Sequence, residues 1–224
     1  HNPISKAMLD ACDELGMYVM DETYDYWLIH KNPYDQGGET VQKWWKEDTG
    51  AMIRKDYNHP SVVMYSIGNE ISELGIAEGQ ELCAQMSAYV KTMDSSRAVT
   101  CGINLMLASM AAKGKGLYGK KEDGKENTNG SAGMDNVPTS TFYNILMNKM
   151  GGVIDHMAAT KGADKVADAI SSGLDVMGYN YATSRYKKEY KMHPERVIVG
   201  SETLPQSLYR NWELVKSIPN LIGD

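Results

Sequence analysis

Apolar positions along the chain fall into two rhythms, three- to four-residue spacing and short unbroken β-branched runs, and the two alternate from one end to the other. Asn2 as N-cap and Pro3 at the first helical position predict a helix carrying Ile4, Met8, Cys12 and Leu15 on one face, stopped by Gly16. Met17–Met20 follows as a short strand ending in Asp21 and Glu22. Val41 to Tyr57 reads as a helix with Val41, Trp45 and Met52 on one side, and Trp44 and Trp45 as core or interhelix packing. After Asn58-His59-Pro60 comes the longest apolar run, Val62 to Ile67, closing on Gly68-Asn69-Glu70. Leu82, Met86, Tyr89, Val90 and Met93 mark the next helix, and Ala98–Cys101 a third strand. The pattern then breaks: residues 113–138, rich in Gly, Lys, Asn and Asp, read as a long flexible insertion. Helices resume over Phe142–Met150 and Ala163–Ser171, with strands at Val176–Tyr179 and Val197–Gly200. A helix near Leu208–Ser217 leads to Asn220-Leu221-Ile222, the start of a further strand.

Alternating helices and apolar strands predict the α/β class, a parallel sheet covered by helices. Five strands and the start of a sixth fall short of the eight that close a (β/α)8 TIM barrel, a fold of typically about 250 residues. Residues 1–224 are therefore expected to form one partial barrel, truncated at both ends, with the first two strands and most of the last one missing. Open barrel edges leave unpaired strands. Missing parent domains or a second chain are expected to complete the fold.

Two of the predicted strands end on a glycine followed shortly by a glutamate, Glu70 and Glu202. In a parallel α/β barrel the C-terminal strand ends converge on the face where catalysis takes place. Two carboxylates there suit acid/base or nucleophilic hydrolysis of a glycoside; the plainer alternative is a pair of residues capping strands beside turns.

The net charge of −6 leaves no basic surplus for phosphates, which argues against nucleic-acid or anionic-membrane partners. No apolar run reaches the roughly 18 residues of a membrane-spanning helix. Cys12, Cys83 and Cys101 lack metal-ligand spacing and read as free thiols; no metal site is evident, and hydrolysis by paired carboxylates requires no metal or cofactor. The sequence begins His1-Asn2-Pro3 without methionine, which reads as a trimmed start, and the compartment stays open between periplasm, exterior and cytoplasm.

Six stretches in order resemble the catalytic (β/α)8 domain of family 2 glycoside hydrolases, the β-galactosidase, β-glucuronidase and β-mannosidase group. They are His1-Asn2-Pro3, Leu15 to Glu22, Asp56 to Val62, Ser66-Ile67-Gly68-Asn69-Glu70, Gly178-Tyr179-Asn180-Tyr181 and Gly200-Ser201-Glu202-Thr203, and they span nearly the whole chain. The resemblance implies hydrolysis of terminal β-glycosidic bonds in an oligosaccharide or glycoside by a retaining double displacement, of the β-galactosidase type. Glu70 is then the acid/base, which must hold a proton, and Glu202 the nucleophile, which must be ionised, with their carboxyls about 5–5.5 Å apart.

By the same resemblance Asn69 meets the sugar 2-hydroxyl, and His1 corresponds to a histidine near the sugar. Tyr179 is expected to donate to Glu202, with Tyr181 as rival, since strand alternation points the two to the same side. Asp25 and Trp27, in the loop after the first strand, are candidates to grip hydroxyls and to stack on a sugar ring. His59 precedes its strand and is expected to order a turn at the far end. The family's arginine before His-Asn-Pro, its aromatic-rich last strand and its β-sandwich domains are not in this sequence, so the chain alone is expected to be weak or inactive. Two rival readings share the pattern in part. One is an endo-acting, β-mannanase-like barrel hydrolase; the other is a non-catalytic carbohydrate-binding module, which would tolerate loss of either glutamate.

Overall fold

The computed structural model describes residues 2–29, 31, 38–115 and 151–224. Helix α1 (Lys6–Leu15) leads to β1 (Val19–Glu22), α2 (Gly38–Asp56), β2 (Val62–Asn69), α3 (Ala77–Met93), β3 (Ala98–Ile103) and α4 (Leu105–Ala111). A helical segment at 151–158 precedes α5 (Lys161–Ser171), β4 (Val176–Asn180), α6 (Thr183–Met192), β5 (Val197–Glu202) and α7 (Leu208–Ser217). The five strands are all parallel and lie side by side in chain order, the arrangement of a (β/α)8 barrel wall. The start of a sixth is present. Leu221 bridges Ile198, and the N–H groups of Ile198, Ile222 and Gly200 bond across the two segments at 2.8–3.0 Å. The insertion at 113–138 and the helix at 142–150 fall almost wholly outside the described residues.

Strands covered on both faces read as unbroken apolar runs, and this sheet explains why. Tyr65, Ile67, Val99, Cys101, Ile103, Met177, Tyr179 and Ile198 alternate toward the helices and are fully or almost fully buried. The inner face carries the small and polar set Ser66, Thr100, Gly102, Gly178 and Asn180, which leaves room for side chains to meet across the curl.

The first helix departs from its sequence pattern. Ser5, not Asn2, is the N-cap, its hydroxyl accepting from the Met8 amide at 3.3 Å, and Pro3 lies ahead of the helix. The reason is tertiary: the Ile4 N–H bonds the Asp21 carboxylate at 3.0 Å, which holds residues before Ser5 extended. Leu9 is the buried anchor of α1, while Met8 and Leu15 are exposed. The first strand likewise starts later than expected, at Val19. On α2, Trp45 is buried in edge-on contact with Tyr89, whereas Trp44 is exposed beneath the Lys43 ammonium.

At the amino-terminal end of the sheet polar groups form a closed knot. His59 Nδ1 meets the Asp13 carboxylate at 2.7 Å, and the other Asp13 oxygen accepts from the Ser61 N–H at 2.9 Å. Arg97 donates to the carbonyls of Tyr57, His59 and Val62 and to Asp94. His59 thus sits in the turn before β2, as its position in the sequence implied. Among the described residues no helix is long and apolar enough to cross a membrane. The three cysteines are free, and burial pushes the Cys83 thiol up to about 12.

Candidate functional site

At the carboxyl-terminal end the backbone itself is distorted. Glu70, one residue past β2, has φ +50°, and Tyr181, one residue past β4, has φ +54°. Among the described residues these are the non-glycine positions in the left-handed region. Each costs of order 1–3 kcal/mol unless its surroundings over-determine it, and such strain clusters at functional sites. Here the surroundings do so: the Glu70 N–H bonds the Gly102 carbonyl at 2.6 Å, and the Tyr181 N–H bonds the Glu202 carbonyl at 2.9 Å.

Glu70 is almost wholly buried, and its carboxylate accepts from Asn104 Nδ2 at 2.6 Å. Asn104 is the N-cap of α4; its Oδ1 accepts from the amides of Met106 and Leu107 at 3.1 and 3.2 Å. That capping fixes the amide so that its N–H side must face Glu70. Glu202, half-buried at the end of β5, accepts from Asn180 Nδ2 at 2.9 Å and from the Tyr181 hydroxyl. Burial first, then the hydrogen bond and charge of Glu202 and the charge of Glu70, push the Tyr181 phenol far above its usual range. It therefore remains a donor at any working pH, with both carboxylates in its electrostatic reach.

Asn69 is held from both sides. Its Nδ2 donates to Asp25 at 3.0 Å and its Oδ1 accepts from Asn180 Nδ2 at 2.8 Å. Lys31 Nζ lies 2.8 Å from both the Asp25 carboxylate and the Asn69 carbonyl. Gly102 makes this meeting possible, because a Cβ there would stand 2.8 Å from Asn69 Oδ1 and 3.2 Å from Asn180 Oδ1. Beside Tyr181 a cavity of about 250 Å³ opens between the 151–158 segment and the loop after β5, with Asp155, Thr183, Thr203 and Arg210 in its wall.

Several expected residues lie elsewhere. Tyr179 is fully buried against the helices, its ring 5.8 Å from the Arg185 guanidinium, and Tyr181 takes the place at Glu202 expected for it. Alternation holds for Tyr179 inside β4 but not for Tyr181, which the left-handed turn at the strand's end redirects. Trp27 is fully buried, its Nε1 donating to the Ile67 carbonyl at 3.0 Å, so it has no face to offer a sugar. The indole lies so close to Gly68 that a Cβ there would come within 2.8 Å of it. Asp21 turns away to Lys55 and the Ile4 amide, while Glu22 on the inner face accepts from the Ser66 hydroxyl. His1 lies outside the described residues. Asn180, Asn104 and Ser201, by contrast, carry bonds to the carboxylates or their neighbours that no local pattern announced.

Among the described residues one group has donor atoms spaced for a metal ion, Asp10, Asp13 and His59. It lies at the opposite end of the sheet, and both Asp13 oxygens are already engaged.

The sequence model described as "Glycosyl hydrolases family 2, TIM barrel domain" matches residues 1–122. A putative β-glucuronidase of Formosa agariphila is 37% identical over 46% of this chain and 9% of its own length. A β-galactosidase of Bacteroides ovatus is 33% identical over 46% of this chain and 16% of its own. Two crystal structures of a glycosyl hydrolase family 2 member from Bacteroides cellulosilyticus align over the whole chain at 32% identity, with TM-scores of 0.66 and 0.70. The chain spans about a fifth of those solved chains and still less of the curated relatives. It belongs to family 2 of the glycosyl hydrolases and carries part of that family's TIM-barrel domain.

Proposed function

We propose that this chain carries the catalytic pair of a retaining β-glycosidase of the β-galactosidase type, which hydrolyses terminal β-glycosidic bonds. One observation carries the reading: Glu70 and Glu202 stand at the ends of separate strands, at the same end of the sheet, and Asn180 bonds both Glu202 and Asn69, the neighbour of Glu70. In the first half-reaction Glu202 attacks the anomeric carbon while Glu70 protonates the departing oxygen. A glycosyl ester on Glu202 results, and the aglycone leaves as an alcohol. Glu70, now ionised, takes a proton from water; the water oxygen attacks the anomeric carbon, and Glu202 departs as carboxylate.

The surrounding groups fit these roles. Tyr181 and Asn180 donate to Glu202 and favour its charged form before attack. Asn69 retains one N–H and one lone pair beyond its bonds to Asp25 and Asn180, which suits a sugar hydroxyl. Relatives named as β-galactosidases and as β-glucuronidases both occur, and of the two substrates we propose the galactoside. The full-length protein is expected to release nitrophenol from nitrophenyl β-D-galactopyranoside faster than from the β-glucuronide or β-mannoside. By proton NMR the first sugar released should be the β-anomer. An α-anomer appearing first would overturn retention, and unchanged turnover in Glu202→Gln would overturn the nucleophile assignment.

A further inference from the structure

Asn180 is a heavily engaged polar side chain at this end of the sheet. It is 2% exposed, and both its amide nitrogen and its amide oxygen are engaged. Its Nδ2 donates both to Asn69 Oδ1 at 2.8 Å and to Glu202 Oε2 at 2.9 Å, and its Oδ1 accepts from the Ser201 hydroxyl at 2.7 Å. With Asp25 at the far side of Asn69, two amides in series connect two carboxylates.

The direction of that chain of bonds is not free. Ionised carboxylates only accept. Asp25 therefore requires the N–H side of Asn69, which turns Asn69 Oδ1 toward Asn180. Asn180 must answer with its own N–H side, and the same Nδ2 then serves Glu202. Its Oδ1 is left toward Ser201, whose hydroxyl can donate. Both amide orientations follow from the charges at the two ends. A flipped Asn180 would set Oδ1 against Asn69 Oδ1 and against Glu202 at once.

We infer that Asn180 is a positioning residue that ties the Glu202 strand end to the Asn69–Glu70 strand end and holds Glu202 in its ionised, attacking orientation. The inference rests on the reading of Glu202 as nucleophile. Its logic is geometric: β2 and β5 are separated by two strands, and the Asn180 amide spans between their ends. Displacements on the order of 1 Å between catalytic groups cost about 10²-fold in rate.

Other ionisable groups also face this region. Tyr181 approaches Glu202 from beyond β4, and Glu70 acts on the same phenol from beyond β2. Asp25 and Lys31 stand one amide further off; Asp155 and Arg210 line the cavity past Tyr181. Tyr186 and Asp224 pair with each other at 2.6 Å next to Gly200. None of these replaces the N–H that Asn180 gives to Glu202 Oε2.

The test uses full-length protein and a nitrophenyl glycoside it hydrolyses, with kcat/KM followed against pH. Asn180→Ala is expected to lose about 10²-fold in kcat/KM, chiefly through kcat. The acid limb of its profile should move to higher pH, because the charged form of Glu202 has lost a donor. Asn180→Asp should be the poorer enzyme near neutral pH, where a further carboxylate faces Glu202. It should gain on Asn180→Ala as pH falls, since the introduced carboxyl can donate once it is protonated. Ser201→Ala, which leaves the amide in place, serves if Asn180→Ala does not fold; it should shift the acid limb in the same direction and by less. Wild-type kcat/KM and an unmoved acid limb in a folded Asn180→Ala or Ser201→Ala enzyme, with Glu202→Gln inactive, overturn the inference and leave the catalytic pair standing. Turnover surviving in Glu202→Gln overturns both.

Discussion

The two strand ends that carry Glu70 and Glu202 are built differently. β2 lies inside the sheet, paired on both sides, and its terminal glutamate is placed by backbone: a left-handed residue whose N–H is pinned to Gly102 of β3. β5 is paired fully with β4 but on its other side only with residues 220–223. Its glutamate stays in regular strand conformation, and the side chains of Asn180 and Tyr181 reach across to hold it. Glu70, the proposed acid/base, is thus locked by main chain and burial, and Glu202, the proposed nucleophile, by donors from a neighbouring strand and the turn after it. That division suits the proposed roles. A group that must hold a proton before the reaction is largely buried, while a group that must be ionised before attack is supplied with hydrogen bonds.

The largest expected effect separates the two carboxylates by leaving group. Glu202→Gln should lose about 10⁴-fold or more in kcat on every β-glycoside, since no covalent intermediate can form. Glu70→Gln should lose about 10²–10⁴-fold with a poor leaving group, and far less with dinitrophenolate, which departs without a proton. Equal losses on both substrates would remove the distinction.

Next in size is Tyr181→Phe. Removal of one preorganised donor from Glu202 is expected to cost about 10²-fold in kcat. Thermal stability should change little, because the ring and its packing remain. Asn104→Ala probes the other side of the comparison. It deletes the donor to Glu70 together with the cap of α4, so a stability loss of about 1 kcal/mol by denaturant unfolding should accompany a roughly tenfold activity loss.

The smallest effect concerns how β2 is held at its opposite end. Asp94 is buried, but hydrogen bonds from Ser96 and Arg97 and the Arg97 charge outweigh that burial and hold its carboxyl down to about 2. A carboxylate whose folded value is depressed stabilises the fold above its unfolded value near 4 and loses that contribution as pH falls toward 2. Thermal melting between pH 5 and pH 2 should therefore show a decline to which Asp94 contributes along with Asp13, Asp164 and Asp175, whose carboxyls are also held low, so Asp94→Asn should be less stable at pH 5 and show a shallower decline.

Much of the fold was legible because parallel strands buried on both faces announce themselves as apolar runs. The five runs at 17–20, 62–70, 98–101, 176–179 and 197–200 all became strands, in the anticipated parallel arrangement. The start of a sixth at Leu221 was legible too. The direction in which individual side chains point was less so. Tyr179, expected as a donor to Glu202, and Trp27, expected to stack on a sugar ring, both became core, one over Arg185 and one against Gly68. The face of α1 differs for a related reason. Its pattern offered Met8 and Leu15, whereas packing against the sheet uses Leu9.

The amino-acid sequence by itself determined the alternation of helices and strands, the pair of strand-ending glutamates and the family resemblance, because each is assembled from short local patterns, every one of them readable in a few consecutive residues. Only the tertiary structure decided that Asn180 meets Asn69, a pairing 111 residues apart in the chain, and that Asn104 caps a helix while serving Glu70 34 residues away. Hydrogen bonds between distant amides leave no periodicity in a sequence. They arise where neighbouring strands bring their ends together, and where glycines such as Gly102 leave the space for side chains to meet.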